Sequence, residues 1–374
     1  MINMNKQRVL ITGANGFIGK NLLIRLSERN DIETLSFVRG DSNEVLAKLV
    51  AKADAVIHLA GENRPNDVED FSRVNVDLTR TLCDAICAAG RKIPLIFASS
   101  AQAECDNLYG KSKLLAEYVV ADLASKTGNS VIIYRLVGVF GKFCKPNYNS
   151  VVATFCHNIA RDLPIQINNP NFTLDLVYID DVIDALLDSL KTAKPGVSWG
   201  KLRNIYNITL ENLAEQIGAF KNCRSSLKSE RVGTGLTRAL YSTYMSYLPP
   251  EEFAYDLPMH SDERGMFVEM LKTPDCGQFS FFTVFPGVTR GSHYHHSKTE
   301  KFLVVGGLVR MRYRHLVTGE SYEITLCSDK PQVVDTIPGW VHDITNIGES
   351  EAIIMLWANE IFDQQRPDTI SCEV

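Results

Sequence analysis

From the first strand onward, short apolar runs alternate with stretches in which apolar residues return every three or four positions. Val9–Thr12, Glu33–Val38, Asp54–Ala60 and Pro94–Ser100 have the length and composition of buried strands. From Phe17 the apolar positions are Phe17, Ile18, Leu22, Leu23 and Leu26, the spacing of one helix face. A further helix with an apolar face starts near Asn75, and another opens at Tyr109 and runs through Leu114, Leu115 and Tyr118. This alternation predicts an α/β fold of the Rossmann type, a doubly wound and mostly parallel sheet. Glu211–Phe220 reads as its closing helix. Two prolines in Tyr247–Glu251 then break the pattern. Beyond them short strands alternate with turns at Phe279–Phe285, Lys301–Val305, Leu308–Arg314, Tyr322–Leu326 and Ala352–Ala358, and helical periodicity is lost. An all-β jelly-roll barrel is expected there. The predicted domains are therefore 1–245 and 246–374.

Composition narrows the class. The 374 residues suit two or three domains. With 45% hydrophobic and 22% charged residues the chain reads as a water-soluble globular protein. A net charge of −5 without a basic run speaks against nucleic acid, and no apolar run is long enough for a bilayer. The start, MINMNKQRVLITG, predicts no leader, and the nine cysteines include no CxxC pair, so reduced thiols and a cytoplasmic location are expected. Cys83 and Cys87 read as packing residues.

The candidate chemistry begins at the first strand–helix turn, where Gly13, Gly16 and Gly19 are spaced G-x-x-G-x-x-G. A strand, a glycine turn and a helix N-terminus converge backbone N–H groups and the helix dipole on one point, which suits a dinucleotide pyrophosphate. Arg39 follows the second strand, where an acidic residue would bind a ribose 2′-hydroxyl and an arginine favours a 2′-phosphate. Arg39 therefore points to NADP; a surface arginine is the alternative. Ser99 and Ser100 end a strand, the place where such sheets bind ligands. Tyr109 and Lys113 are four apart, on one helix face, and the ammonium is expected to lower the phenol's pKa and make it a usable acid or base.

These pieces resemble the extended short-chain dehydrogenase/reductase family. The resemblance rests on GANGFIG, DAVIHLAG, Asn75, Ser100, YGKSK, RLVGVFG (Arg135–Gly141) and LVYIDDV (Leu176–Val182), seven motifs in order over most of residues 8–190. It implies that Ser100 hydrogen-bonds the substrate oxygen, Tyr109 is the acid/base and Lys113 holds the nicotinamide ribose. It also implies a cofactor site made of Gly13, Asn15, Gly16, Phe17, Ile18, Gly19, Arg39, Leu59, Ala60, Asn75, Tyr109 and Lys113. RLVGVFG departs from the family in lacking a proline after its last glycine. The sugar-binding half would fall in 142–175, where Asn149 and His157 are either substrate contacts or surface polar groups.

In the second half, three of the eight histidines, His293, His295 and His296, lie within four positions. On a strand His293 and His295 share a face. With Glu300 and His342 they offer three imidazoles and a carboxylate, a donor set for a divalent transition metal; a histidine-rich surface strand is the alternative. The stretch resembles the cupin superfamily. Gly287, His293, His295, Glu300 and Gly307 fill its first motif and Gly339, His342 and Asn346 its second, although Pro338 lies one residue nearer the glycine than usual. Asp262–Gly265 and Arg290–His293 also resemble deoxysugar 3,5-epimerases, in which the histidine matching His293 is a metal-free base. The full four-ligand set favours a ligand role, which leaves Lys298 or Lys301 as the proton-transfer group.

Over its whole length the chain resembles the bifunctional reductase–epimerases of capsular polysaccharide and O-antigen synthesis, on the UDP-N-acetyl-L-fucosamine route. That resemblance implies a UDP-4-keto-6-deoxy-HexNAc substrate, C3 inversion in the cupin, C4 reduction with NADPH to UDP-2-acetamido-2,6-dideoxy-L-talose, bound zinc and a homodimer. A dTDP-sugar reductase/3,5-epimerase and a non-catalytic NADP-sensing or sugar-binding protein stay open at this point.

Overall fold

The computed structural model describes residues 6–374 except 66, 263, 264, 269, 272, 274–276, 361 and 364, with backbone only over 259–262 and 265–268. In chain order the N-terminal elements are β1 (Gln7–Thr12), α1 (Phe17–Ser27), β2 (Ile32–Phe37), α2 (Asn43–Lys52), β3 (Ala55–His58), α3 (Leu78–Ala88), β4 (Leu95–Ser100), α4 (Leu108–Thr127) and β5 (Ser130–Leu136). After these come β6 (Gly138–Phe140), α5 (Val151–Ala160), β7 (Thr173–Tyr178), α6 (Ile179–Thr192), β8 (Gly196–Trp199), β9 (Tyr206–Thr209), α7 (Leu210–Ser226) and α8 (Gly235–Met245). Each expected strand of the first half is present, with its ends moved by a residue or two.

Two compact units form. One joins residues up to Phe140 with Leu174–Asn207. Its six-stranded sheet has the order β2-β1-β3-β4-β5-β8, and the pairings from β2 through β8 are parallel. Alternate side chains of each strand serve the two faces. On one face Leu10, Val56, Phe97 and Val131 pack with Leu46 and Val50 of α2, Leu82 and Ile86 of α3, and Ala116 and Val120 of α4. On the other, Val9, Ile11 and Ile57 are fully buried, and α1 packs with α6. The strand order reverses between β1 and β3, so their carboxyl ends open the crevice in which such sheets bind ligands.

The second unit comprises Gly141–Thr173 and Ile208–Val374. Two five-stranded antiparallel sheets form its β portion. One has the order Ala254–Asp256, Gln332–Asp335, Glu300–Gly306, Ala352–Ala358, Gln278–Val284. The other has Ser321–Cys327, Leu308–His315, Trp340–Asn346, Thr289–Tyr294, Ile370–Ser371. The ring of Phe253 packs edge-on to Tyr313 and Trp340, and Phe302 reaches His342 from the other sheet. Helices α5, α7 and α8 all belong to the second unit. Arg224 of α7 pairs with Asp335 and Arg238 of α8 with Glu360, both at 2.6 Å, and Ser242 of α8 donates to the Ser297 carbonyl. Among the described residues, no helix is long and apolar enough to cross a membrane.

Candidate functional site

The first site is built on the β1–α1 turn. Gly13 adopts φ +69°, and a Cβ there would lie 2.7 Å from the backbone nitrogen of Ala60. At Gly19 a Cβ would meet the carbonyl oxygens of Gly13 and Ala14 at 2.4 and 2.6 Å. Only glycine lets β1, α1 and the end of β3 approach this closely. No side chain caps α1 at Gly16, so its first N–H groups face the turn without a protein partner from the cap, as a phosphate cradle needs. Asn15 and Gly16 are exposed in the turn, Phe17 and Ile18 open the helix half-buried, and Leu59 and Ala60 are half-buried at the end of β3. These residues fit a dinucleotide.

Asn75 does not start a regular helix as expected. It lies within a π-helical turn, Phe71–Asp77, that runs into α3. Such turns are rare and gather at functional sites. Buried Asn75 donates to the Glu62 carbonyl and to Ser112, and its Oδ1 accepts from the Glu62 N–H. Behind it, His58 bridges the hydroxyls of Thr12 and Thr79, and Thr79 donates to the Asn75 carbonyl. Burial, with Lys113 nearby, drives His58 down to about 3, so this histidine is neutral.

Ser100, Tyr109 and Lys113 come together where β4 ends and α4 begins. Ser100 ends β4 and accepts from the Gln102 N–H, and it lies beside Tyr109, close enough to pull the phenol's pKa down. Asn107 caps α4 by accepting from the Gly110 N–H at 2.8 Å. Gly110 is required because a Cβ there would run into the carbonyl oxygens of Gln102 and Cys105. The glycine of YGKSK thus lets the helix press on the turn that carries Ser100. Ser99 faces away, donating to Glu117, which also holds Arg135 at 2.8 Å.

One expectation is corrected. Burial raises the Tyr109 pKa, and the opposing influence is Ser100, not Lys113. The Lys113 ammonium is instead engaged by the Ala98 carbonyl at 2.7 Å and lies over the Phe97 ring. Burial lowers Lys113 itself to about 8, against the pull of Glu117. Glu117 had a signal in the sequence: it is four residues beyond Lys113, the next step on the same helix face.

Arg39 follows β2, with its side chain 81% exposed and Nη2 2.6 Å from the Glu62 carboxylate. Nothing in the sequence pattern singled out Glu62.

The second site lies between the two antiparallel sheets. His293, His295, Glu300 and His342 bring their ligand atoms within 4.8 Å of one another. His293 pairs in register with His342 across neighbouring strands, past a bulge after Gly291. His295 Nε2 stands 3.1 Å and His342 Nε2 3.7 Å from the same Glu300 oxygen. Both ring nitrogens of buried His342 lack a hydrogen-bond partner. Orphaned buried imidazole nitrogens are costly, and with a carboxylate among them they fit a divalent ion. Burial and the neighbouring imidazoles take His293 to about 3, and burial lowers His342. Burial disfavours the Glu300 carboxylate, yet the His295 ring, then the nearby His342 and Lys298, hold it well below its ordinary value.

The two lysines part company. Lys298 reaches the cluster, with Nζ 3.1 Å from Glu300 and 3.0 Å from Thr369. A cavity of about 150 Å³ opens beside them, lined also by Gln278, Ser280, Leu356 and Glu360. Lys301 is set apart from the cluster. One residue along the strand from Glu300, it is buried against Asp335 at 2.7 Å and donates to the Tyr255 hydroxyl at 3.1 Å.

A further residue carried no sequence signal. Asp368 accepts the N–H groups of His296, Ser297 and Lys298, all at 2.8 Å, and its carbonyl binds His295 Nδ1. That contact turns Nε2 toward the cluster. Of the stretch likened to 3,5-epimerases, Glu263 and Arg264 lie outside the described residues. In the predicted sugar-binding half, His157 of α5 packs edge-on to Tyr247.

The chain matches two family models: NAD dependent epimerase/dehydratase family over residues 9–209, and polysaccharide biosynthesis C-terminal domain over 260–370. It is 53% identical to the UDP-2-acetamido-2,6-beta-L-arabino-hexul-4-ose reductase of Pseudomonas aeruginosa, across 98% of this chain and 99% of that one. The crystal structure of the capsular polysaccharide assembling protein CapF from Staphylococcus aureus is similar over 98% of this chain and 100% of that one, with 40% identity and TM-score 0.67. MoeE5 in complex with UDP-glucose and NAD, at 21% identity and TM-score 0.51, covers 56% of this chain and 80% of that one and shares the fold. With one family model spanning more than half of its length and a relative this similar end to end, the chain belongs to the NAD dependent epimerase/dehydratase family.

Proposed function

We propose that this chain is a bifunctional enzyme of surface-polysaccharide synthesis acting on a UDP-linked 4-keto-2-acetamido-2,6-dideoxyhexose. The C-terminal portion, 246–374, is a cupin that inverts C3. The N-terminal portion, 1–245, reduces the C4 ketone with NADPH. The product is UDP-2-acetamido-2,6-dideoxy-L-talose, on the way to UDP-N-acetyl-L-fucosamine.

The observation that carries this reading is the meeting of Ser100, Tyr109 and Lys113 at a strand end above the glycine turn, in a chain 53% identical to a hexul-4-ose reductase. Bound NADPH would supply a hydride to C4. Tyr109 gives its proton to the C4 oxygen, completing an alcohol, and Ser100 hydrogen-bonds that oxygen. Lys113, seated beside Gly61 and Asn75, holds the ribose; a Cβ on Gly61 would come 3.5 Å from its ammonium.

The proposed product requires a second activity. The L-arabino 4-ulose named for the relative and an L-talose differ at C3, so reducing C4 alone cannot give the talose. C3 must invert while C4 is still a ketone, because only then is the C3 proton acidic. His293, His295, Glu300 and His342 would hold a divalent ion, which polarises a carbonyl and eases loss of the adjacent proton. Lys298, whose Nζ lies 3.1 Å from Glu300, is the proton-transfer group of this proposal. Incubating the protein with NADPH and the UDP-L-arabino 4-ulose tests the whole: the sugar isolated should have the L-talo configuration. An L-altro or L-ido product would remove the epimerase from the account, and no NADPH consumption would remove the reductase.

A further inference from the structure

Arg39 and Glu62 leave different strand ends, after β2 and after β3, yet share one ion pair of 2.6 Å. The partners are unequal. The Arg39 side chain is 81% exposed and that of Glu62 only 10%. Glu62 is also held from behind. Its Oε1 accepts the N–H groups of Asn63 and Arg64 at 3.1 and 3.2 Å, and its own backbone N–H and carbonyl are both bonded by Asn75. The carboxylate is therefore the member held by the protein and the guanidinium the one exposed to solvent. The end of β2 meets the adenosine ribose in doubly wound sheets. A 2′-phosphate held by Arg39 would sit one guanidinium away from a fixed negative charge.

We propose that Glu62 is a specificity-determining residue for the adenosine end of the cofactor. It takes up part of the Arg39 charge and repels a 2′-phosphate, while an unphosphorylated ribose is little affected. The chain then separates phosphorylated from unphosphorylated dinucleotides less sharply than Arg39 alone would. The inference rests on the reading that places the dinucleotide at the glycine turn with its 2′ position beside Arg39.

Binding of 2′,5′-ADP and of 5′-AMP, measured by calorimetry on the full chain, tests it without turnover. Glu62→Gln keeps an oxygen for the Asn63 and Arg64 N–H groups and removes the charge. It should tighten 2′,5′-ADP about tenfold and leave 5′-AMP within about twofold. The gain should shrink at high salt, because Arg39 is exposed. A purely structural role for Glu62 would move both ligands together. An unchanged or reduced 2′,5′-ADP preference in Glu62→Gln overturns the proposal. Arg39→Ala keeps the two ideas separable. Loss of the preference in Arg39→Ala without a gain in Glu62→Gln sinks the role of Glu62 alone. A preference that survives Arg39→Ala sinks the NADP reading and the inference with it.

Discussion

The buried cluster of Lys301, Asp335 and Arg224 makes a prediction whose size comes from its geometry. Asp335 is 1% exposed and carries two cations, Lys301 on Oδ1 at 2.7 Å and Arg224 on Oδ2 at 2.6 Å. Asp335→Ala leaves Lys301 without an anion and leaves Arg224 only the exposed Glu252 carboxylate at 3.7 Å. Removing one partner of a buried pair costs about 3–5 kcal/mol, and here two cations lose their buried anion, so the cost should reach at least the top of that range. Lys301→Met removes the other end. Asp335 then keeps Arg224, methionine fills most of the lysine's volume, and the cost should be about 1–3 kcal/mol, the loss of one charge-assisted hydrogen bond. Asp335 holds the Lys301 pKa well above its ordinary value despite full burial. The pair's contribution is therefore complete below the unfolded lysine's pKa of about 10.4 and fades only as pH rises through the higher folded value. Denaturant titrations at pH 6 and pH 9 should give the same ordering and the same gaps. Equal penalties for the two variants, or gaps that close by pH 9, would refute the reasoning. Lys301→Met should also retain C3 exchange, because Lys301 does not face the histidine cluster; abolished exchange in a folded Lys301→Met protein would return it to the site.

Tyr109→Phe keeps the ring and loses the proton, so NADPH should bind normally while its oxidation by keto sugar falls about 10²–10⁴-fold; near-normal oxidation would acquit Tyr109. Asp368→Asn leaves one oxygen but turns an amide toward the N–H groups of Ser297 and Lys298, loosening the segment that carries His295. Chelator-stripped variant should bind Co²⁺ about 10–100-fold more weakly than the parent by absorption titration, and equal affinity would deny Asp368 a hand in the metal site.

The parallel sheet was legible because its strands are short, apolar and separated by amphipathic helices, as for Val9–Thr12 with Phe17–Leu26. The turn at Gly13 and the strand-end serines could be placed for the same reason: local spacing determines them. Several features escaped because they depend on residues far apart in the chain. Nothing near Asn75 announces a π turn, which is held by Glu62 and Ser112. The Tyr109 pKa was misjudged because helix spacing puts Lys113 nearby without showing that its ammonium turns to Ala98. Lys298 and Lys301 look alike in sequence, but strand alternation sends Lys301 to the side opposite Glu300. Asp368 lies some 70 residues beyond the backbone groups it binds, as the separations of its hydrogen bonds show. Helix α8 was not anticipated, and with α5 and α7 it joins the strands of the second unit.

The central claim is an order of events: inversion at C3 while the C4 ketone exists, then reduction. Deuterium incorporation at C3 in D₂O, monitored by NMR without NADPH, tests it most directly. The Tyr109→Phe protein should place deuterium at C3 of the UDP-4-keto sugar at close to the parental rate. The His342→Ala protein should place little there, yet still oxidise NADPH with sugar already inverted at C3. If Tyr109→Phe exchanges nothing while His342→Ala exchanges normally, the barrel is not the epimerase and the proposed division of labour is wrong.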